Sequence, residues 1–99
     1  MKSYIFIGME EIEVSKYYKM TEDERIQYDR FVFTLCDKHL QELTTELSLS
    51  EAKYVFTDSL KVQMSEYEEE ENYEVCGIIT KAINYINNYN NATSRKKTK

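Results

Sequence analysis

The chain contains no proline and only two glycines in 99 residues. Because these two residue types interrupt regular structure and mark turns, their scarcity argues against a sheet protein and predicts long, uninterrupted helices. Tryptophan is also absent, whereas nine tyrosines are present, more than one small core can take. Since the amphipathic tyrosine ring suits interfaces, we expect some of the nine at the surface.

Residues that commonly carry catalysis or hold metals are scarce. There is one histidine and there are two cysteines, and the closest pair, Cys36 and His39, is three residues apart. Both fall on the apolar side of a predicted helix, where a free cysteine belongs to the core rather than to a nucleophilic pair. Glycine-rich phosphate loops, dinucleotide fingerprints, nucleophile elbows and EF-hand loops do not occur in the sequence. We therefore predict a protein that is not an enzyme and that uses no metal and no cofactor.

The sequence also lacks long apolar runs. None approaches the roughly 20 residues that a membrane helix requires, and no leader-like apolar segment opens the chain. Two distant cysteines fit a reducing compartment, so we expect a cytoplasmic protein that does not enter membranes. Amino acids with AT-rich codons, such as Asn, Lys, Ile and Tyr, are abundant, which indicates the genome of a low-GC bacterium, its phage or a virus.

Charge is distributed unevenly along the chain. The formal net charge is -5, but four of the thirteen basic residues are Arg95, Lys96, Lys97 and Lys99. Residues 1–94 therefore hold nine basic and eighteen acidic groups, a net charge near -9. Such a body repels nucleic acid, so we expect a protein partner with a basic surface and no specific nucleic-acid binding.

The longest predicted helix covers residues 22–46. Thr21 and Glu24 form the pattern of a capping box, in which each side chain binds the backbone N–H of the other residue. The apolar side chains of the segment cover more than half of the helix surface; they are Ile26, Tyr28, Phe31, Val32, Phe33, Leu35, Cys36, Leu40, Leu43 and Leu47. An apolar surface this wide predicts a central helix with neighbours on two sides.

Two further helices are predicted over about residues 50–69 and 73–89. Ser48 or Ser50 can cap the first, and Asn72 can cap the second. The last helix has the cleanest apolar spacing in the chain, with Val75, Ile78, Ile79, Ala82, Ile83, Ile86 and Tyr89. Since short connections make consecutive helices antiparallel, the predicted fold class is mainly α, a three-helix antiparallel bundle around a long central helix.

The segment before the first helix fits two structures. Tyr4 to Ile7 is a short apolar run, and Ile12, Val14 and Tyr18 alternate with polar residues, a spacing typical of strands. A β-hairpin turning at residues 8–10 explains both runs, and an extra helix from Met9 to Lys19 is the alternative. We predict one helical domain over residues 1–89, followed by a disordered basic tail over residues 90–99.

Five acidic residues occur between positions 66 and 71, and tyrosines lie within and beside them. The resulting hypothesis is a protein-binding regulator or inhibitor, encoded by a phage or mobile element, that acts on a basic host protein. The predicted partner-binding residues are Glu66, Tyr67, Glu68, Glu69, Glu70, Glu71 and Tyr73, together with Tyr28 and Phe31 on the first helix. The alternative is a self-associating structural subunit, for example a homodimer, whose wide apolar surface is completed by another copy.

Overall fold

A β-hairpin and three helices make up residues 2–89, the part of the chain that the computed structural model describes. The elements are β1 (Tyr4–Ile7), β2 (Glu10–Glu13), α1 (Glu22–Leu43), α2 (Leu49–Glu69) and α3 (Tyr73–Asn88), and a single turn of 3-10 helix, Tyr17–Lys19, lies between β2 and α1. The mainly α fold predicted from the sequence is thus confirmed, and the N-terminal segment is a hairpin rather than an extra helix. The predicted basic tail, residues 90–99, lies outside the described residues.

Side-chain caps define where the helices begin. The Thr21 hydroxyl accepts from the Glu24 N–H at 3.2 Å, and the Glu24 carboxylate accepts from the Thr21 N–H at 2.9 Å. Ser48 and Glu51 form the same capping box at the start of α2. These reciprocal bonds satisfy backbone donors that a helix leaves free, which explains why the predicted starts agree with the structure to within one residue.

Helix α1 ends three residues earlier than predicted. The hydroxyls of Thr44 and Thr45 donate to the carbonyls of Gln41 and Glu42, at 3.1 Å and 2.8 Å. These bonds satisfy carbonyl groups that have no partner inside the last turn of a helix. Residues 44–46 consequently form a turn that leads to the cap of α2.

Contacts between the helices fix their directions. Lys53 near the start of α2 donates to the carbonyl of Asn87 near the end of α3, so these two helices are antiparallel. Helices α1 and α3 run parallel, because Asp29 contacts Lys81 and Asp37 contacts Tyr85 farther along both helices. Consecutive helices therefore alternate in direction, as the antiparallel prediction requires.

The hairpin packs one apolar face against the bundle. Ile5 pairs with Ile12 and Ile7 pairs with Glu10, and the three isoleucines are buried in the common core. Gly8 begins the two-residue loop with a φ of +63°, a conformation that favours glycine. A Cβ at Gly8 would lie 2.5 Å from Nδ1 of His39, so the loop also needs glycine to approach α1 closely.

Side chains of α2 cover the open edge of β1. The Tyr67 hydroxyl donates to the Tyr4 carbonyl at 2.6 Å and accepts from the Tyr4 N–H at 3.0 Å. One turn earlier in α2, the Gln63 amide accepts from the Phe6 N–H and donates to the Phe6 carbonyl, at 2.7 Å and 3.0 Å. Four backbone groups of an edge strand are thereby satisfied without a third strand.

Most of the helical core comes from α3. This helix buries seven side chains, namely Val75, Cys76, Ile78, Ile79, Ala82, Ile83 and Ile86. Helix α1 is longer and contacts α2, α3 and β1, but it buries only Val32, Cys36 and Leu40. The wide apolar surface of α1 is therefore not fully covered from within, and Ile26 and Phe31 remain exposed.

Candidate protein-binding surface

Residues Glu66–Glu71, called here the acidic turn, end α2 and lead into α3. The Asn72 N–H donates to the Tyr67 carbonyl at 2.9 Å, and the Glu71 N–H donates to the Glu68 carbonyl at 3.0 Å. Together with the positive φ of Glu71, +59°, these two bonds form a Schellman motif. Glycine is the residue preferred at this left-handed position, so glutamate is held there at a cost in conformational energy.

The acidic turn lies at the end of the bundle where α1 and α3 begin. The Asp29–Lys81 ion pair joins α1 and α3 seven and eight residues after their first residues. At 1.5 Å per residue, both helices therefore start about 10–12 Å from this pair, on the same side of it. Half of the eighteen acidic residues belong to this acidic end: Glu22, Asp23, Glu24, Glu66, Glu68, Glu69, Glu70, Glu71 and Glu74.

The acids of the acidic end form no ion pairs within residues 2–89. The ion pairs in this part of the chain are Lys38–Glu10 and Lys81–Asp29, and His39 contacts Glu42; none of these contacts includes the nine acids. The side chains of the acidic turn are also exposed, apart from Tyr67. A concentrated negative field of this kind attracts a basic surface over a distance set by the ionic strength.

The four aromatic residues predicted to bind a partner differ in what they contact. Tyr67 holds β1, as described above, and the Tyr28 hydroxyl donates to the Glu13 carbonyl of β2 at 2.8 Å. Burial, and then the charge of Glu13, raises the pKa of Tyr28 to about 12. By contrast, Tyr73 is 66 % exposed and Phe31 is 51 % exposed, so these two rings are the ones available to a partner.

An open groove of about 670 Å³ runs beside Tyr28 and Phe31. One wall is a stripe of α1, and the other is the segment between the hairpin and α1. The residues of this Phe31 groove are Glu24, Gln27, Tyr28 and Phe31 on the first wall, and Lys16, Lys19 and Met20 on the second. Sequence reasoning located the first wall but missed the second.

A network of hydrogen bonds holds the second wall in place. The Tyr17 hydroxyl donates to Asp29 at 2.8 Å, while Lys81 of α3 donates to the Tyr17 oxygen at 2.9 Å. The bond to Tyr17 raises the pKa of Lys81, which keeps the ammonium group charged. Arg25 adds two bonds from its guanidinium to the Met20 carbonyl. The groove is therefore preformed rather than a gap between loose segments.

The Cys36 and His39 pair does not form a nucleophilic site in this arrangement. Cys36 is fully buried, and burial followed by the charge of Asp37 raises the pKa of its thiol to about 12, which disfavours the reactive thiolate. The His39 ring packs edge-on against Phe56 at 4.7 Å, and its nearest polar contact is Glu42 at 3.5 Å. Within residues 2–89, no three His, Cys, Asp or Glu side chains are grouped closely enough to hold a metal ion.

Comparisons with models of protein families, with curated proteins and with solved structures found no match for this chain. The fold and the surface therefore define the protein only as a small helical domain that presents an acidic end. None of the helices described has the length and apolar character needed to cross a membrane.

Proposed function

We propose that this chain is a non-enzymatic regulator or inhibitor that binds a basic surface of another protein through its acidic end. The observation that carries the proposal is the gathering of half of the acidic residues at one end of the bundle, without ion pairs among residues 2–89. Opposite charges on two partners accelerate encounter and orient the complex. The AT-rich composition supports a phage or mobile element as the source, with a host protein as the target.

Tyr73 supplies the aromatic contact that a purely charged surface lacks. It is the first residue of α3, directly beyond the acidic turn, and most of its ring is accessible. Aromatic residues dominate the binding energy of many interfaces, while charged residues at the rim mainly set the association rate. We therefore assign recognition to the glutamates and much of the affinity to Tyr73.

The proposal is tested by capturing partners from a lysate of a low-GC bacterium with the wild-type chain and two variants of equal charge. The test variant changes Glu68, Glu69 and Glu70 to Gln. The control changes three exposed acids away from the acidic end, Glu11→Gln, Glu46→Gln and Asp58→Asn. Both variants raise the net charge by three, so a general effect of charge on capture is the same for both.

We expect the control to retain the partner and the test variant to lose it. The difference in recovery between the two variants should be larger at physiological salt than at higher salt concentrations. A Tyr73→Ala variant should bind with an unchanged association rate and a faster dissociation rate. Equal recovery of partners by the test variant and the control would reject the acidic end as the binding surface.

A further inference from the structure

We propose that two copies of this chain associate reciprocally, with the acidic turn of each copy in the Phe31 groove of the other. The proposal does not depend on the function proposed above, because it concerns the purified chain alone. In this dimer the groove of each copy is occupied by the acidic turn of the other. The acidic turn thus has a binding site on its own kind of chain as well as the basic partner proposed above.

The Phe31 groove has the features of a receptor for an acidic segment with an apolar anchor. The exposed ring of Phe31 lies on its first wall and Met20 on its second, and its volume lies within the range of about 300–1,000 Å³ typical of ligand pockets. Lys16 and Lys19 stand on the second wall, and neither takes part in an ion pair among residues 2–89. Two ammonium groups without ion pairs, beside apolar side chains, attract carboxylates that flank an aromatic ring.

The acidic turn matches this receptor. Glu68 to Glu71 supply the carboxylates, and Tyr73 supplies an accessible aromatic ring two residues beyond them. The Schellman motif fixes the backbone of the turn, so little conformational entropy is lost when it docks. Both halves of a complementary contact are thus present on one chain.

The two halves of the contact lie beside the same segment of the chain. Tyr18 borders a small cavity together with Asn72 and Glu74, next to the acidic turn, whereas the neighbouring Lys16 and Lys19 border the groove. The segment 15–20 therefore separates the two surfaces. In the proposed dimer the twofold axis passes close to Tyr18, which is 51 % exposed, so that each acidic turn faces the groove of the other copy.

Repulsion between two acidic bodies makes this association depend on salt in a characteristic way. Long-range repulsion is screened beyond about 8 Å at physiological ionic strength, whereas direct contacts between carboxylates and ammonium groups persist there. We expect the dimer to be strongest at intermediate salt and weaker at both extremes.

The test is sedimentation velocity on the full chain across a dilution series. We expect a monomer–dimer equilibrium that weakens at least about tenfold in dissociation constant when Lys16 and Lys19 are changed to Glu. The matched control, Arg30→Glu with Lys61→Glu, changes the net charge equally at exposed positions outside the groove and should weaken the dimer much less. Glu24→Gln removes a carboxylate from the groove while keeping a residue that can form the capping box, and should tighten the dimer.

A charge exchange identifies the contact itself. The Glu68→Lys, Glu70→Lys variant and the Lys16→Glu, Lys19→Glu variant should each be monomeric, because like charges meet in both of their contacts. Their mixture should form a heterodimer, in which one contact has the wild-type charges and the other has both charges reversed. Circular dichroism of each variant verifies that it is folded, and Phe31→Ser provides a groove variant without any change in charge. A wild-type chain that stays monomeric at every concentration, a dimer unaffected by the groove variants, or a mixture that fails to associate would each overturn the proposal. None of these results would affect binding of the acidic end to a basic partner.

Discussion

Helices α1 and α3 carry the same number of apolar side chains but use them differently. Each has nine, yet α3 buries seven of its nine within sixteen residues, while α1 buries three within twenty-two. The apolar residues of α3 recur at spacings of three and four and share one face, whereas those of α1 are spread around the helix. A narrow stripe can be covered completely by two neighbouring elements, but a wide surface cannot. Burial therefore follows the concentration of apolar residues on one face, not their number.

The largest expected effect is that of removing a buried side chain from either helix. Ile79→Ala in α3 should lower the free energy of unfolding by about 3 kcal/mol, because a fully buried side chain leaves a cavity. Leu40→Ala in α1 should cost about the same, since Leu40 is also fully buried. Urea unfolding measures both. A cost below about 1 kcal/mol for Leu40→Ala would mean that α1 contributes less to the core than its burial indicates.

The second-largest loss of stability is expected in the hairpin, which covers part of α1. Gly8→Ala should destabilise the fold by about 2 kcal/mol, because alanine disfavours the positive φ and its Cβ meets the His39 ring. His39→Ala also removes the contact with Phe56, so the steric conflict is tested against His39→Ala as the reference, in which Gly8→Ala should cost only about half as much. If Gly8→Ala costs the same with and without the His39 ring, the close approach of the loop to α1 is not the cause.

Alkaline pH tests how the burial of Cys36 in α1 contributes to stability. Burial raises the pKa of both Cys36 in α1 and Cys76 in α3, and that of Cys36 reaches about 12. Because its folded pKa lies above its unfolded value near 9, the contribution of Cys36 is fully present below pH 9 and is lost as the pH rises toward 12. One such thiol gives a slope of at most about 1.4 kcal/mol per pH unit. Stability measured from pH 9 to 11 should decline less steeply in Cys36→Ala than in the wild type.

Substitution at the entry to α3 should stabilise the protein. Glu71→Gly relieves the strain of a left-handed glutamate and should raise the free energy of unfolding by about 1 kcal/mol. Glu70→Gly, at a residue with ordinary helical φ, is the control and should lower stability. Chemical denaturation of both variants would contradict this account of the turn if the two effects had the same sign.

The smallest effect is expected on the uncovered side of α1. Phe31→Ala should change the free energy of unfolding by less than about 0.5 kcal/mol, because half of this ring is accessible to solvent. The unfolding of this variant should be measured at a protein concentration where the chain is monomeric. A loss comparable to that of Leu40→Ala would show that the Phe31 side of α1 is covered in solution.

The sequence predicted those features that depend on neighbouring residues. Thr21 and Asn72 were predicted correctly as helix caps, and Ser48 was one of the two caps predicted for α2, because each cap and its partner lie three residues apart. The acidic turn was also predicted, because its acidic residues are neighbours in the sequence. The hairpin was predicted from the alternation of polar and apolar residues, although the strand pattern was extended beyond Glu13, where β2 ends.

Features that depend on distant residues could not be read from the sequence. The second wall of the Phe31 groove is held by Tyr17, Asp29 and Lys81, whose contacts with one another span 12 to 64 residues of chain. Nothing in the local pattern around Tyr17 distinguishes it from the other tyrosines. In the same way, sequence reasoning assigned Tyr67 to a binding surface, whereas the structure uses its hydroxyl to hold β1. The tyrosine surplus is explained partly by such internal bonds and partly by exposed rings.

The bonds from Gln63 and Tyr67 to β1 also bear on the order in which the chain folds. These residues are 57 and 63 positions away from the backbone groups that they bind, whereas α2 and α3 are adjacent in sequence. Closing a long loop is slower and entropically costlier than docking neighbouring helices. We therefore expect the α2–α3 pair to form early and the hairpin to join last. During synthesis at about 5–20 residues per second, β1 would leave the ribosome several seconds before Tyr67.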